Sequence, residues 1–301
     1  MHLIAHRTDE GIRGAVEIDG RRYALSELAR ALGGSWPPDV AATVRSGRLA
    51  ELDAAIARAG SALADVPELP AALEPAPIVP RPGAIVAVGL NYEEHAGDLH
   101  EVRPDEPATF MKPATTVIGP GEEIVLPLQS DRTTGEAELA LVVGRRCFEV
   151  EAEEAPSVIA GFVPVIDMTA EDVLQRNPRF LTRAKSFDTF LVVGDRMVTT
   201  DALPRLDERE VATLVHGEPR RSNRVAGMRF SPWELVAFFS SVSTLEPGDL
   251  ILTGTPGAVV LADGMTVGCR IDGIGTIEAP VRDRKVRGGP PARRADAPRS
   301  G

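Results

Sequence analysis

The sequence predicts an α+β fold dominated by β-strands, in which a small N-terminal α+β domain precedes a β-rich roll or distorted barrel. Two observations support this prediction. Short apolar runs rich in β-branched residues recur after residue 84, and Gly and Pro separate them. Six prolines between Pro67 and Pro82 come just before those runs and are typical of a stiff, extended connector. We therefore expect a domain boundary at this connector.

The N-terminal domain, residues 1–75, is predicted to contain a hairpin and two helices. Residues 14–25 alternate in polarity around Asp19-Gly20, a dipeptide that favours a tight turn. Ser26 is a candidate N-cap for a helix that ends at Gly33-Gly34. Leu49–Leu63 has apolar residues at helical spacing and predicts a surface helix.

The second domain, residues 76–283, is predicted to be the β-rich part. The remaining residues, 284–301, are rich in Pro, Gly, Arg and Ala and are typical of a disordered tail. The predicted strands of the second domain are Ile85–Val88, Leu139–Val143, Ile159–Ile166, Phe190–Val193, Ala212–Val215, Leu250–Leu252 and Thr276–Ile277.

Composition excludes several classes of function. The formal net charge is −11 and the pI is near 5.1, which disfavours a nucleic-acid-binding surface. The two cysteines, Cys147 and Cys269, form no metal-binding or disulfide pattern, as expected for a reduced, cytoplasmic setting. The chain starts without a signal-peptide pattern, and no apolar run reaches the ~18 residues of a membrane span.

Three acidic residues are candidate metal ligands. Glu136 and Glu138 stand two apart at the start of an apolar run, so on a strand both project from one face. Asp167 closes another apolar run and can supply a third carboxylate. A hard cation resolves the repulsion within such a set. Taken singly, each acid is also compatible with a solvated strand face or an ordinary turn.

Other polar residues near predicted strands are candidate catalytic groups. Lys185 lies beside apolar strand residues and can stabilise developing negative charge, although most lysines lie on the surface. His95 and Asp98 have helical i, i+3 spacing, so the carboxylate can orient the imidazole as a general base. Such a His-Asp pair is also common in purely structural roles. Gly254-Thr255 forms part of a glycine turn after a strand.

Taken in order, these motifs resemble the fumarylacetoacetate hydrolase family over roughly residues 80–280. The matching segments are GLNYEEHAGD, FMKPATTVIG, GEAELALVVG, the Asp of VIDMTAED, AKSFDTF and LEPGDLILTGTPGAV. The resemblance implies a mixed β-roll catalytic domain, a smaller N-terminal domain and a homodimer.

The resemblance also implies roles for individual residues. Glu136, Glu138 and Asp167 correspond to the family's metal ligands, which implies Mg²⁺ or Mn²⁺, with Ca²⁺ as a further candidate. Lys185 corresponds to the active-site lysine. His95 corresponds to the catalytic histidine of a lid, with Asp98 where a glutamate is usual. The resemblance assigns substrate contacts to Lys112, Gly254 and Thr255.

The sequence departs from the family pattern at the substrate clamp. Glu171 and Leu174 stand where the family usually has the arginine and glutamine that hold the substrate's carboxylate. A glutamate repels a carboxylate, so we expect carboxylate-bearing substrates such as oxaloacetate to be poor. Gln175, Arg176 or Arg179 can rebuild the clamp if the alignment shifts. The Asn-Gly-Glu motif of the family reads His216-Gly217-Glu218 here.

Two functional hypotheses follow. The first is a divalent-metal-dependent hydrolase, lyase or isomerase that acts on a C–C bond next to a carbonyl. Its substrate would be a small β-dicarbonyl or 2-oxo acid, with a specialised metabolite as one candidate, that reacts as a metal-bound enolate by hydrolysis, decarboxylation or tautomerisation. The second is a catalytically degenerate, metal-stabilised binding or scaffold protein. The presence of His95, Asp98 and Lys185 favours the enzyme.

Overall fold

The computed structural model describes residues 1–92 and 105–289. Within these ranges the chain forms strands in two sheets. In chain order the strands are β1 (His2–Thr8), β2 (Gly11–Ile18), β3 (Arg21–Ala24), β4 (Ile85–Gly89), β5 (Ala108–Met111), β6 (Val117–Ile118), β7 (Ile124–Leu126), β8 (Thr133–Val143), β9 (Ile159–Ala170), β10 (Leu191–Val193), β11 (Arg196–Thr199), β12 (Glu210–Val215), β13 (Glu218–Arg224), β14 (Leu250–Leu252), β15 (Ala258–Val260), β16 (Thr266–Ile271) and β17 (Gly275–Asp283).

The helices of the described residues are short and lie around the sheets. They are α1 (Leu25–Leu32), α2 (Val40–Arg45), α3 (Leu49–Ala59), α4 (Glu171–Arg176), α5 (Leu181–Lys185), α6 (Pro232–Val242) and α7 (Arg284–Arg287). Among them, none has the length and apolar character needed to cross a membrane. The predicted α+β, β-rich fold class is therefore confirmed.

The larger sheet crosses the expected domain boundary. Its main order is β3-β2-β1-β11-β9-β8-β14-β4-β5, with β10, β6 and β15 attached to it, and the smaller sheet has the order β13-β12-β16-β17-β7. The N-terminal strand β1 pairs with β11 of the second domain, so the two predicted domains share one sheet. The predicted domain boundary after residue 75 therefore remains a prediction about which segments fold independently.

The two long central strands are buried on both faces. In β8, Leu139 and Leu141 join the apolar cluster between the two sheets, which also contains residues of α6. Ala140 and Val142 point to the opposite face and join the cluster that packs against α1 and α2. A strand covered on both faces reads as a continuous apolar run, which explains the strong strand pattern in the sequence. Glu136 and Glu138 share the face of Ala140 and Val142 because side chains alternate along a strand.

Several predicted N-terminal elements are confirmed and one is corrected. Asp19 and Gly20 have positive φ values of 50° and 78° and join β2 to β3, as predicted for the hairpin. The next helix begins at Leu25, and its N-cap is Ala24, so Ser26 is not the N-cap. Strand β3 runs directly into α1 and leaves Ser26 inside the first turn.

The predicted helix at Leu49–Leu63 and the predicted tail both differ in extent from the structure. The α-helix ends at Ala59, and a 3₁₀ helix follows at Gly60–Asp65. The expected disorder from residue 284 is wrong for Arg284–Arg287, which form α7 with Asp283 as N-cap. Residues 290–301 lie outside the described residues.

Candidate metal centre

Three carboxylates converge on one face of the β8–β9 pair. Glu136 lies directly opposite Asp167 in the antiparallel register, and Glu138 is the next residue of β8 on the same face. One carboxylate oxygen from each lies within 4.8 Å of the other two. The three residues are 8%, 1% and 0% exposed in the order Glu136, Glu138, Asp167. Asp167 lies inside β9 rather than at its end, because the strand continues to Ala170.

This donor set fits a hard divalent cation. Mg²⁺ and Ca²⁺ bind carboxylate oxygens at about 2.0–2.6 Å, so oxygens on opposite sides of one ion are about 4–5 Å apart. The spacing of the three oxygens is within that limit. The described part of the cluster has no His or Cys ligand, which disfavours zinc. The residues therefore suit an oxygen-coordinated metal ion.

Lys185 is held between two of the candidate ligands. It is the last residue of α5, and its Nζ donates to Glu136 Oε2 and to Asp167 Oδ2, each at 2.7 Å. The ammonium also lies 4.8 Å from the centre of the Phe110 ring. Burial opposes the charge of Lys185, but the carboxylates of Asp167 and Glu136 outweigh it and raise the pKa of the ammonium. The carboxylates therefore favour the charged form of Lys185 at the centre.

A second lysine lies behind the ligands. Lys112, just after β5, donates from Nζ to Asp167 Oδ1 at 2.7 Å and also to the carbonyl oxygen of Lys185. Its side chain is fully buried. Burial lowers the pKa of Lys112 despite the nearby carboxylate of Asp167. Lys112 thus connects the segment that carries Lys185 to the strand that carries Asp167.

Glu138 is the least compensated carboxylate of the three. Burial, and then the charge of Asp167, raise the pKa of Glu138 well above its ordinary value. Among the described residues its side chain accepts one hydrogen bond, from the Gly254 N–H at 2.8 Å. Gly254 has a φ of 89°, and a Cβ at this position would lie 2.9 Å from the Asn91 Cβ. The turn after β14 therefore requires glycine to reach the carboxylate.

The candidate substrate residue Thr255 lies in the same turn. It is 5% exposed, and its hydroxyl bonds to both the N–H and the carbonyl of Gly257 at 3.2 Å. The structure thus places Gly254 and Thr255 beside Glu138. Gly254 touches the centre through its backbone, and Thr255 stabilises the turn.

Two threonines that support Glu136 were missed by the sequence analysis. The hydroxyls of Thr169 and Thr134 donate to Glu136 Oε1 at 2.9 Å and 3.3 Å. Such bonds orient a metal ligand. The sequence does contain a signal for them. Thr134 and Thr169 each lie two residues from an acidic candidate, so each shares the strand face of that acid.

Both residues at the clamp positions, Glu171 and Leu174, have partners within the protein. Leu174 packs against the apolar cluster between the sheets. The carboxylate of Glu171 accepts hydrogen bonds from Arg132 Nε at 2.7 Å and from Gln175 Nε2 at 2.9 Å. Arg132, which directly precedes β8, therefore forms an ion pair with Glu171, and the poor binding of carboxylate-bearing substrates stays a prediction.

The two arginines considered as replacements have other environments. Arg176 forms a long ion pair with Asp172 at 3.9 Å, and Arg179 is exposed. His95 and Asp98, the candidate base and its partner, lie outside the described residues. The structure therefore brings the metal-ligand candidates, both lysines and the Gly254–Thr255 turn together, while the base stays a prediction.

Comparison with known proteins identifies the family. Residues 84–282 match the family model described as fumarylacetoacetate (FAA) hydrolase C-terminal. The chain belongs to the fumarylacetoacetate hydrolase family. The matched range contains every described candidate residue of the centre.

Relatives in this family have named enzymatic activities. The chain is 36% identical to the human mitochondrial oxaloacetate tautomerase FAHD2A over 208 residues, which cover 66% of each protein. It superposes on a 5-carboxymethyl-2-hydroxymuconate delta-isomerase from Mycobacterium smegmatis with a TM-score of 0.72 and 29% identity, covering 94% of this chain and 100% of that one.

A third relative contains a metal. Maleylpyruvate hydrolase from Sphingobium sp. SYK-6, solved in complex with manganese(II) and pyruvate, aligns with a TM-score of 0.75 and 28% identity over 94% of this chain and 99% of that one. Hydrolase and isomerase names among such relatives confirm the prediction of a family enzyme that acts on small molecules. A divalent metal is supported by this complex together with the acidic triad.

Proposed function

We propose that this protein is a divalent-metal-dependent enzyme that converts a β-dicarbonyl compound or a 2-oxo acid through its enolate. The observation that carries the proposal is the buried triad of Glu136, Glu138 and Asp167, whose oxygens lie within 4.8 Å of one another, with the Lys185 ammonium bonded to two of them. Hydrolysis, decarboxylation and tautomerisation all require stabilisation of such an enolate. The names of the relatives include hydrolases, isomerases and a tautomerase.

Each residue of the centre has a distinct task in this proposal. Glu136, Glu138 and Asp167 would hold the metal, which when bound would polarise the carbonyl oxygens of the substrate. Lys185 places a fixed positive charge next to the oxygen that becomes negative, in a buried site where that charge is poorly screened. Lys112 keeps Asp167 and the Lys185 segment in register through its two hydrogen bonds.

The proton-transfer step is assigned to His95, with Asp98 as its orienting partner. A histidine held by a carboxylate has a pKa suited to accept and return a proton near neutral pH. Gly254 and Thr255, in the turn next to Glu138, would contact the substrate from that side. A Mg²⁺ or Mn²⁺ cofactor, a homodimeric state and a cytoplasmic location complete the proposal.

Turnover measurements test this function directly. Metal-free protein is supplied with Mg²⁺ or Mn²⁺ and mixed with oxaloacetate, an acylpyruvate and a β-keto amide, while ultraviolet absorbance follows enol loss or C–C cleavage. We expect metal-dependent conversion of at least one compound, and loss of that conversion in Lys185→Met. A rate that does not depend on added metal, or that is the same in Lys185→Met, would rule out this chemistry.

A further inference from the structure

One edge of β8 has no strand partner at residues 137–139 within the described ranges, next to the candidate ligands. On this edge β8 pairs with β15 through residues 134–136 and with β14 through residues 140–142. Between β14 and β15 the chain leaves the sheet and forms the turn at residues 254–257, where the Gly254 N–H donates to Glu138. The strand at this gap is buried, so its backbone groups need other hydrogen-bonding partners.

Two threonine hydroxyls supply the missing hydrogen bonds. The Leu139 carbonyl oxygen accepts from the Thr253 N–H at 3.1 Å and from the Thr253 hydroxyl at 2.9 Å. At the other end of the gap, the Ala137 N–H donates to the Thr213 hydroxyl at 3.1 Å. That hydroxyl in turn donates to the Gly257 carbonyl oxygen at 3.0 Å. Both threonines are completely buried. Thr213 therefore joins the strand that carries two ligands to the turn that contacts one of them.

These contacts form a closed ring around Glu138. The ring starts at Ala137, the residue before Glu138 in β8, and passes through the Thr213 hydroxyl. It then follows the turn from Gly257 back to Gly254, whose N–H donates to Glu138 Oε2 at 2.8 Å. Within the described ranges, the Glu138 side chain accepts this hydrogen bond alone. The position of the turn relative to β8 therefore decides whether the bond to the ligand forms.

Thr213 is a rigid point of attachment because it lies inside the smaller sheet. At this position its strand β12 pairs with β13 through Arg221 and with β16 through Cys269. A β-branched side chain has few rotamers, and the Thr213 hydroxyl here both accepts and donates a hydrogen bond. Groups held on strands position a site more precisely than groups held on loops.

We infer that Thr213 is a positioning residue of the metal centre: through its hydroxyl, the smaller sheet fixes the Gly254 turn against β8 and holds Glu138 in the orientation that binds the metal. This inference rests on the proposed function. Removing a hydrogen-bonding partner of a metal ligand typically lowers metal affinity about 10–100-fold. Thr213 acts on Glu138 through the turn rather than directly, so the effect should be smaller.

Calorimetric titration of metal-free protein with Mn²⁺ tests this inference. Thr213→Val keeps the shape of the side chain but removes the hydroxyl, and it should weaken Mn²⁺ binding about five- to tenfold. Thr213→Ser keeps the hydroxyl and should bind Mn²⁺ nearly as tightly as the wild type.

Thr43→Val is the matched control. Thr43 lies in α2, is also completely buried, and donates from its hydroxyl to the Asp39 carbonyl oxygen at 3.0 Å. Thr43→Val and Thr213→Val should both lower the midpoint of thermal unfolding in EDTA, because each loses a buried hydrogen bond. Only Thr213→Val should also lose Mn²⁺ affinity.

The outcomes separate this inference from the proposed function. Wild-type Mn²⁺ affinity in Thr213→Val, or an equal loss of affinity in Thr43→Val or Thr213→Ser, would overturn the inference and leave the proposed function intact. If Thr213→Val does not fold, Thr213→Cys is titrated under the same criteria, because a thiol is a weaker donor and acceptor than a hydroxyl. Failure of Mn²⁺ to bind to the wild type would instead reject the proposed metal centre, and this inference with it.

Discussion

Replacing Glu138 by glutamine should separate metal binding from fold stability. Glutamine has the same shape, and its amide oxygen can still accept the Gly254 hydrogen bond that Glu138 accepts at 2.8 Å. The change removes one buried negative charge from a cluster of three carboxylates and two ammonium groups. Two carboxylate charges at the 4.8 Å upper limit of this cluster repel by roughly 3 kcal/mol at an effective dielectric constant of 20, and attraction to Lys185 offsets part of this. We expect metal-free Glu138→Gln to be about 1–2 kcal/mol more stable than the wild type.

The same substitution should remove most of the stabilisation by metal. Mn²⁺ at a hundredfold excess over its Kd adds about 2.7 kcal/mol to the free energy of unfolding of a protein that binds it only when folded. This corresponds to a rise in Tm of about 4 °C, because an unfolding entropy of about 2.1 cal/mol/K per residue amounts to roughly 0.6 kcal/mol/K for this chain. A neutral amide oxygen is a weaker ligand than a carboxylate, so the rise should largely disappear in the variant.

Thermal unfolding in EDTA and in excess Mn²⁺ measures both effects for the wild type, Glu138→Gln and Glu278→Gln. Glu278 is an exposed glutamate of β17 and serves as the control, with an unchanged response to Mn²⁺. The reasoning is refuted if Glu138→Gln is less stable than the wild type in EDTA while it keeps the full Mn²⁺ response. That result would mean that Glu138 has a structural role only.

Three further predictions concern other residues. Lys185→Met should lower the free energy of unfolding in EDTA by about 3–5 kcal/mol, because it leaves Glu136 and Asp167 without their shared ammonium. Denaturant unfolding measures this, and a loss below about 1 kcal/mol would contradict the prediction. His95→Ala should reduce kcat with little effect on calorimetric Mn²⁺ affinity, and unchanged turnover would place the base elsewhere. Burial lowers the pKa of His6 below 6.5, so the unfolded chain binds more protons and stability falls as pH drops below that value. His6→Gln should flatten this slope below about pH 6.5, and an equal slope in both proteins would show that His6 does not cause it.

Elements with local signals were predictable from the sequence. The Asp19-Gly20 turn and the central strands follow from turn chemistry and from continuous apolar runs, and both are present. Strand β13, in contrast, has the sequence EPRRSNR and is almost wholly exposed. The hydrophobic pattern does not reveal this strand, which pairs with β12 across a two-residue turn at His216-Gly217, where both residues have positive φ. The same holds for β1, whose partner β11 lies nearly two hundred residues away in the chain.

At the candidate site, comparing a single residue with the family pattern gives the wrong local charge when its partner is distant in the sequence. Glu171 was interpreted alone, as the loss of an arginine, because its partner is 39 residues earlier in the chain. The pairing of Glu136 with Asp167 cannot be read from the sequence, but once it is given, counting outward by two in both strands pairs Thr134 with Thr169. Just beyond the strand ends, the Glu171 N–H donates to the Arg132 carbonyl at 2.9 Å and brings the two side chains together. The charge at the clamp position is therefore a property of the ion pair, and it cannot be inferred from Glu171 without Arg132.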